Sequence, residues 1–182
     1  QKMVSDAFPN NQTCEWGICY SGVFSQFKVY ESNAWRMHVD GSRGIDDVNF
    51  YDTVIPNSWA LDEFSYEDES DDYFLYMGRL TRRKGIPIIQ EMINRGIKVK
   101  YAGQQGDIDF EGAEYLGVLS GEEKANVIAR AKAVLVPSTY CEPFGGISIE
   151  AGMSGVPVIT TNYGVFPETI IQGVTGYRCD TL

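Results

Sequence analysis

The chain has 182 residues, 43% hydrophobic and 22% charged, the balance of an ordinary globular protein and enough for one domain with an appended piece. Its 25 acidic and 15 basic residues leave a net charge of −10, a diffuse negative field that argues against nucleic acid and anionic membrane surfaces as partners. No apolar stretch reaches membrane-spanning length, Gln1–Ser5 has no apolar centre of a signal peptide, and four dispersed cysteines with one histidine, His38, show neither metal-ligand nor disulfide spacing.

Residues 1–65 are hard to read as regular structure. Phe24, Phe27, Val29, Tyr30, Trp35 and Trp59 supply apolar mass, and Tyr51–Asn57 looks like a strand ending in a turn. These elements are too few for an independent domain, so the segment is expected to be an embellishment, or a remnant of an N-terminal domain with its linker. The acidic run from Leu61 to Asp72 reads as that linker, solvated and binding nothing.

From residue 66 to 182 the pattern becomes regular. Tyr73–Met77 is a short apolar run stopped by Gly78, as a buried strand would be. Ile86, Ile89, Met92 and Ile93 recur at helical spacing over 84–94, and Arg95-Gly96 closes that helix. Further strands are expected at Ile97–Tyr101, Glu114–Val118, Ala133–Pro137, Val156–Thr160 and Gly176–Cys179. Helices fall between them, at Gly121–Ala131 behind a Ser120 cap with Glu123 three residues on, at Ile147–Ser154, and at Pro167–Gln172. Strands alternating with helices imply a parallel sheet with right-handed crossovers: an α/β, Rossmann-like fold with helices on both faces. Its strand order does not follow from the sequence.

In such a sheet, ligands bind beyond the carboxyl ends of the strands. Gly78-Arg79-Leu80-Thr81-Arg82-Arg83-Lys84-Gly85 follows the first strand and offers glycines for close backbone approach and cations for an anion. It is neither a Walker A loop nor G-x-G-x-x-G, so ATP hydrolysis and a dinucleotide fingerprint both lack their motif. Cys141-Glu142-Pro143-Phe144-Gly145-Gly146-Ile147-Ser148-Ile149-Glu150 follows the fourth strand. Gly145-Gly146 would open a helix whose free N–H groups suit an anion, while Glu142 and Glu150 can each grip adjacent hydroxyls. Phosphate in the middle with a hydroxyl-rich group on either side is the outline of a nucleotide sugar. Asn162-Tyr163-Gly164, with Glu168 beyond it, makes a weaker third candidate.

G-R-L-T-R-R-K-G at 78–85, V-P-S-T-Y-C-E-P-F-G-G-I-S-I-E-A-G-M-S-G-V-P-V-I-T-T at 136–161 and P-E-T-I-I-Q-G-V-T-G-Y at 167–177 closely resemble the C-terminal, donor-binding domain of the retaining GT-B glycosyltransferases of family 4, group 1. The spacing Glu142-x₇-Glu150 matches that family's E-x₇-E signature, and Y-D-T-V-I-P-N at 51–57 looks like the end of its N-terminal domain. The resemblance implies that Arg79 and Lys84 grip the donor diphosphate, that Glu150 holds the ribose, and that Glu142 faces the transferred sugar as the catalytic group. By the same resemblance Gly145 and Gly146 donate backbone hydrogen bonds and Leu119 borders the base.

It also implies transfer of a sugar, with retention, from a UDP-, GDP- or ADP-sugar to an unknown sugar, lipid or other acceptor, without cofactor or metal. Members carry a preceding Rossmann domain and closing helices for which this chain has no room, so it is expected to be truncated at both ends and to bind donor without efficient turnover. The dispersed thiols favour a reducing, cytoplasmic compartment. The alternatives are a non-catalytic sugar-nucleotide-binding module, a related GT-B enzyme such as an epimerase, and a generic dinucleotide-binding protein.

Overall fold

The computed structural model describes residues 1–47, 49–104 and 108–180. In chain order the elements are α1 (Lys2–Ala7), β1 (Cys14–Ile18), β2 (Phe27–Tyr30), α2 (Asn33–Ser42), β3 (Thr53–Val54), β4 (Phe74–Met77), α3 (Ile86–Asn94), β5 (Val99–Ala102), β6 (Glu114–Tyr115), α4 (Gly121–Ala129), β7 (Ala133–Val136), α5 (Gly146–Met153), β8 (Val158–Thr161), α6 (Phe166–Thr169) and β9 (Gly176–Cys179). None of the described helices is long and apolar enough to cross a membrane.

Strands β4 to β9 form one parallel sheet in the order β6-β5-β4-β7-β8-β9. Side chains alternate across it, as a two-residue period requires. Leu75, Val134, Val136 and Val158 face a core shared with Ile128 of α4, Ala151 of α5 and Phe166 of α6. Tyr76, Leu135, Val99 and Tyr101 face the other way, onto Ile86 and Ile89 of α3. Both faces are thus covered, which explains why these strands read as continuous apolar runs. Each fully buried aliphatic side chain contributes about 1.5–3 kcal/mol.

Residues 1–60 hold more order than their sequence announces. β1, β2 and β3 form a second, three-stranded parallel sheet, with α2 packed on it. Glu15, wholly buried, accepts hydrogen bonds from the Tyr20 hydroxyl at 2.8 Å and from the N–H groups of Phe24 and Ser25 at 2.9 and 2.6 Å, which ties loop 20–25 to β1. Ile18, Tyr30, Trp35 and Val39 form a small core that includes Cys141 from the larger part of the chain. A short strand such as β3 is stabilised by its pairing with β2, and no local propensity reveals that partner.

The acidic run does not merely solvate. Its last two residues fasten the start of β4: Asp71 accepts two hydrogen bonds from Arg130, at 2.9 and 2.7 Å, and Asp72 pairs with Lys98 at 2.5 Å and with Lys132. Hydrogen bonds from Lys132 and then Lys98 hold the Asp72 carboxyl down at about 2. A depressed carboxylate stabilises the fold fully above the unfolded value of about 3.9, and that contribution is lost as pH falls through about 2. Urea unfolding of Asp72→Asn between these two values should therefore show a shallower loss of stability with acid than the parent chain shows. An unchanged acid slope would remove Asp72 as a source of it.

Candidate donor-binding site

The strand order places a switch point between β4 and β7. From β4 the chain proceeds outward through β5 and β6, then returns to β7 on the opposite side. Loops leaving neighbouring strands in opposite directions open a crevice, and the two glycine-rich segments are the loops that flank it.

The first loop leaves β4 at Gly78, where the Tyr76 hydroxyl donates to the Arg79 carbonyl at 2.7 Å. Arg82–Lys84 form a single 3₁₀ turn and Gly85 follows in the left-handed region, at φ 80°. The helix therefore begins at Ile86, two residues beyond the expected Lys84, because Gly85 interrupts it. Gly85 lies hard against the second loop: a Cβ there would stand 2.1 Å from the Pro137 carbonyl oxygen. Thr139 reinforces the contact, its N–H donating to the Arg83 carbonyl at 2.8 Å.

The second loop carries Glu142, which is only 4% exposed. Its Oε1 pairs with Lys84 Nζ, while its Oε2 is buried without a partner. Gly145, in the left-handed region at φ 69°, turns the chain into α5. A side chain at Gly145 would meet the Phe166 ring at 3.0 Å. The Ser148 N–H and hydroxyl both donate to the Gly145 carbonyl, at 2.8 and 2.7 Å, and this locks the first turn of α5 so that its leading N–H groups face outward. Burial first and the Glu142 carboxylate second push the Tyr140 phenol well above its ordinary range. The Cys141 thiol is raised by burial, then by Glu142 and Glu168, which disfavours a nucleophilic thiolate.

A cavity of about 540 Å³ opens at this crevice. Arg79, Arg83, Tyr140, Gly145 and Gly146 line it, together with Glu31, Trp35, His38 and Asn57 from the N-terminal part. The structure thus brings together Arg79, Gly145 and Gly146 on the wall, with the Lys84–Glu142 pair beside them. Glu150 and Leu119 are not among the wall residues. Glu150 projects from α5 to an ion pair with Lys124 of α4 at 2.9 Å, and Leu119 is half-buried in the loop entering α4.

Four features escaped the sequence. Lys124 has no motif around it that ties it to Glu150. His38 lies on the cavity wall, stacked on Trp35 with ring centroids 5.0 Å apart. Trp59 stacks on Phe144 at 5.6 Å and packs against Gly146. The third segment sets Glu168 against α2, its carboxylate accepting from the N–H groups of Asn33 and Ala34, at 3.1 and 2.5 Å, and from Asn33 Nδ2 at 3.2 Å. An anion at the start of α2 suits the helix dipole. Ser32 caps the same helix and also donates to the Pro143 carbonyl at 2.5 Å, so α2 braces the loop that carries Glu142. Only the Ser32-x-x-Trp35 cap position could have hinted at this.

A glycogen synthase of Mycobacterium tuberculosis is 31% identical over 122 residues, 58% of this chain and 29% of that protein. An uncharacterized glycosyltransferase of Methanocaldococcus jannaschii is 29% identical over 148 residues, 66% of this chain and 38% of that protein. The chain therefore spans about a third of the length of these curated relatives. Among solved structures, AviGT4, a glycosyltransferase involved in avilamycin A biosynthesis, superposes with a TM-score of 0.68 at 26% identity over 85% of this chain and 51% of that one. Anabaena HepE in complex with UDP-glucose superposes with a TM-score of 0.73 at 18% identity, over 87% of this chain and 51% of that one. Residues 111–181 match the family model of the group 1 glycosyl transferases, and the chain has the Rossmann-like α/β fold of GT-B glycosyltransferase structures.

Proposed function

We propose that the chain is the donor-binding half of a retaining glycosyltransferase of family 4, acting on a nucleotide diphosphate sugar. The observation that carries this reading is the buried Glu142 at the switch point, with one carboxylate oxygen on Lys84 and the other unpartnered. A buried polar oxygen left unpaired costs about 1–3 kcal/mol, more when charged, and a sugar hydroxyl donating to it would recover that cost. A structure of this fold is known in complex with UDP and glucose, which supports a sugar nucleotide as ligand.

In this reading Arg79 and Lys84 take the diphosphate, the N–H groups at Gly145-Gly146 assist, Glu150 takes the ribose diol, Leu119 borders the base, and Glu142 faces the transferred sugar. Diphosphate binding draws Lys84 Nζ away from Glu142, which frees the carboxylate for the sugar. Cations preset around the departing diphosphate lower the cost of the charge that gathers there, so no metal is needed for that step. Four free thiols favour a reducing, cytoplasmic setting.

Titration calorimetry of the chain against UDP, GDP and ADP and their glucose and mannose conjugates, with and without EDTA, tests the reading. One nucleotide should bind regardless of EDTA, about tenfold more weakly in Glu150→Ala. Glu142→Gln should weaken the sugar conjugate more than the free nucleotide. Binding of none of them, or equal losses for conjugate and nucleotide in Glu142→Gln, would overturn it.

A further inference from the structure

Once the donor groups are assigned, Arg83 is left over. It lies on the cavity wall and makes no ion pair among the described residues, in a chain whose net charge is −10. Arg95 pairs with Glu91 and Arg130 with Asp71, whereas the exposed Arg83, like Arg79 on the same wall, pairs with no acid among the described residues. Nor is Arg83 on a loose surface loop. Its carbonyl accepts from the Thr139 N–H at 2.8 Å and the Thr139 hydroxyl at 3.3 Å, and its guanidinium carbon stands 4.9 Å from the centre of the Tyr140 ring. An aromatic face restrains a guanidinium while leaving its in-plane N–H fork free, and that fork fits a carboxylate or phosphate with two parallel hydrogen bonds.

The same cavity is also lined by Glu31, His38 and Asn57, groups that accept from and donate to hydroxyls. We propose that Arg83 is a specificity-determining residue, selecting an anionic group, phosphate or carboxylate, on a polyhydroxylated compound lodged in the cavity that Arg83 lines with Glu31, His38 and Asn57. The anionic group is distinct from the donor diphosphate, and the inference rests on the donor reading only for assigning that diphosphate to Arg79 and Lys84. Two sources share this chemistry: a sugar phosphate entering as acceptor, and a sugar acid carried by the donor.

Calorimetry with the full chain separates them through two matched pairs at fixed ionic strength, glucose 6-phosphate against glucose and UDP-glucuronic acid against UDP-glucose. In one pair the charged member should bind about tenfold tighter than its neutral partner, and Arg83→Gln should remove most of that preference, while Arg83→Lys, keeping charge without the fork, retains part of it. The pair that responds identifies the source. Equal affinities within both pairs would overturn the proposal, as would Arg83→Gln weakening UDP itself by the same factor as the charged probe, since Arg83 would then belong to the diphosphate clamp. A preference for glucose 6-phosphate without any binding of UDP would instead sink the donor reading and leave this inference standing.

Discussion

Lys84→Met is expected to destabilise the chain by about 3 kcal/mol, within the range for removing one partner of a buried ion pair. Glu142 makes no second ion pair among the described residues, and the Tyr140 phenol beside it is neutral: Oε1 would lose the Lys84 ammonium and Oε2 lies buried. Lys84 itself is 19% exposed at its side chain against 5% for Glu142, so the cost falls mainly on the carboxylate left behind. For a chain of this length about 3 kcal/mol corresponds to a drop in Tm of roughly 6–12 °C. The double variant Lys84→Met/Glu142→Gln should recover more than half of the loss, because a neutral amide at that position no longer buries an unpaired charge. Urea unfolding followed by circular dichroism checks both. If the single and double variants proved equally unstable, the pair would not be the source of the effect.

Gly85→Ala is the second large effect. The new Cβ would stand 2.1 Å from the Pro137 carbonyl oxygen and 2.7 Å from Pro137 Cγ, at a backbone φ of 80°. A non-glycine residue held in that conformation costs about 1–3 kcal/mol, and the clash adds to it because its partner is backbone that cannot swing aside. Relief requires the loop carrying Arg79 and Lys84 to part from the loop carrying Glu142. The expected outcome is a loss of about 3 kcal/mol or more together with at least a tenfold weaker nucleotide affinity. Gly173→Ala is the matched control, with φ 74° but nothing within 4 Å of its Cβ, and it should show only the conformational cost of about 1 kcal/mol. Equal losses at Gly85 and Gly173 would mean that the contact between the two loops contributes nothing.

Much of the larger part of the chain was legible from residue order. Apolar runs such as Ala133–Val136 announce doubly buried strands, Ile86, Ile89, Met92 and Ile93 announce one face of a helix, and Gly145-Gly146 after a strand announces a helix N-terminus at the sheet's carboxyl edge. These signals are local, since they depend on periods of two and 3.6 residues and on φ angles available to glycine. Residues 1–60 were opaque for the converse reason: β1, β2 and β3 have five, four and two residues, and their regularity arises from pairing with one another rather than from any pattern within each.

The sequence by itself thus determined the alternation of elements, the glycine turns and the identity of the charged groups beside them. Tertiary structure alone decided the order β6-β5-β4-β7-β8-β9, and with it which charges meet. Lys84 and Glu142 lie 58 positions apart and pair because β4 and β7 are neighbours at the switch point. Lys124 reaches Glu150 because α4 and α5 pack on the same face of the sheet, and Glu168 reaches α2 from 135 positions away. Coulombic and hydrogen-bond partners are set by distance in space, which only the packing of the sheet and its helices defines.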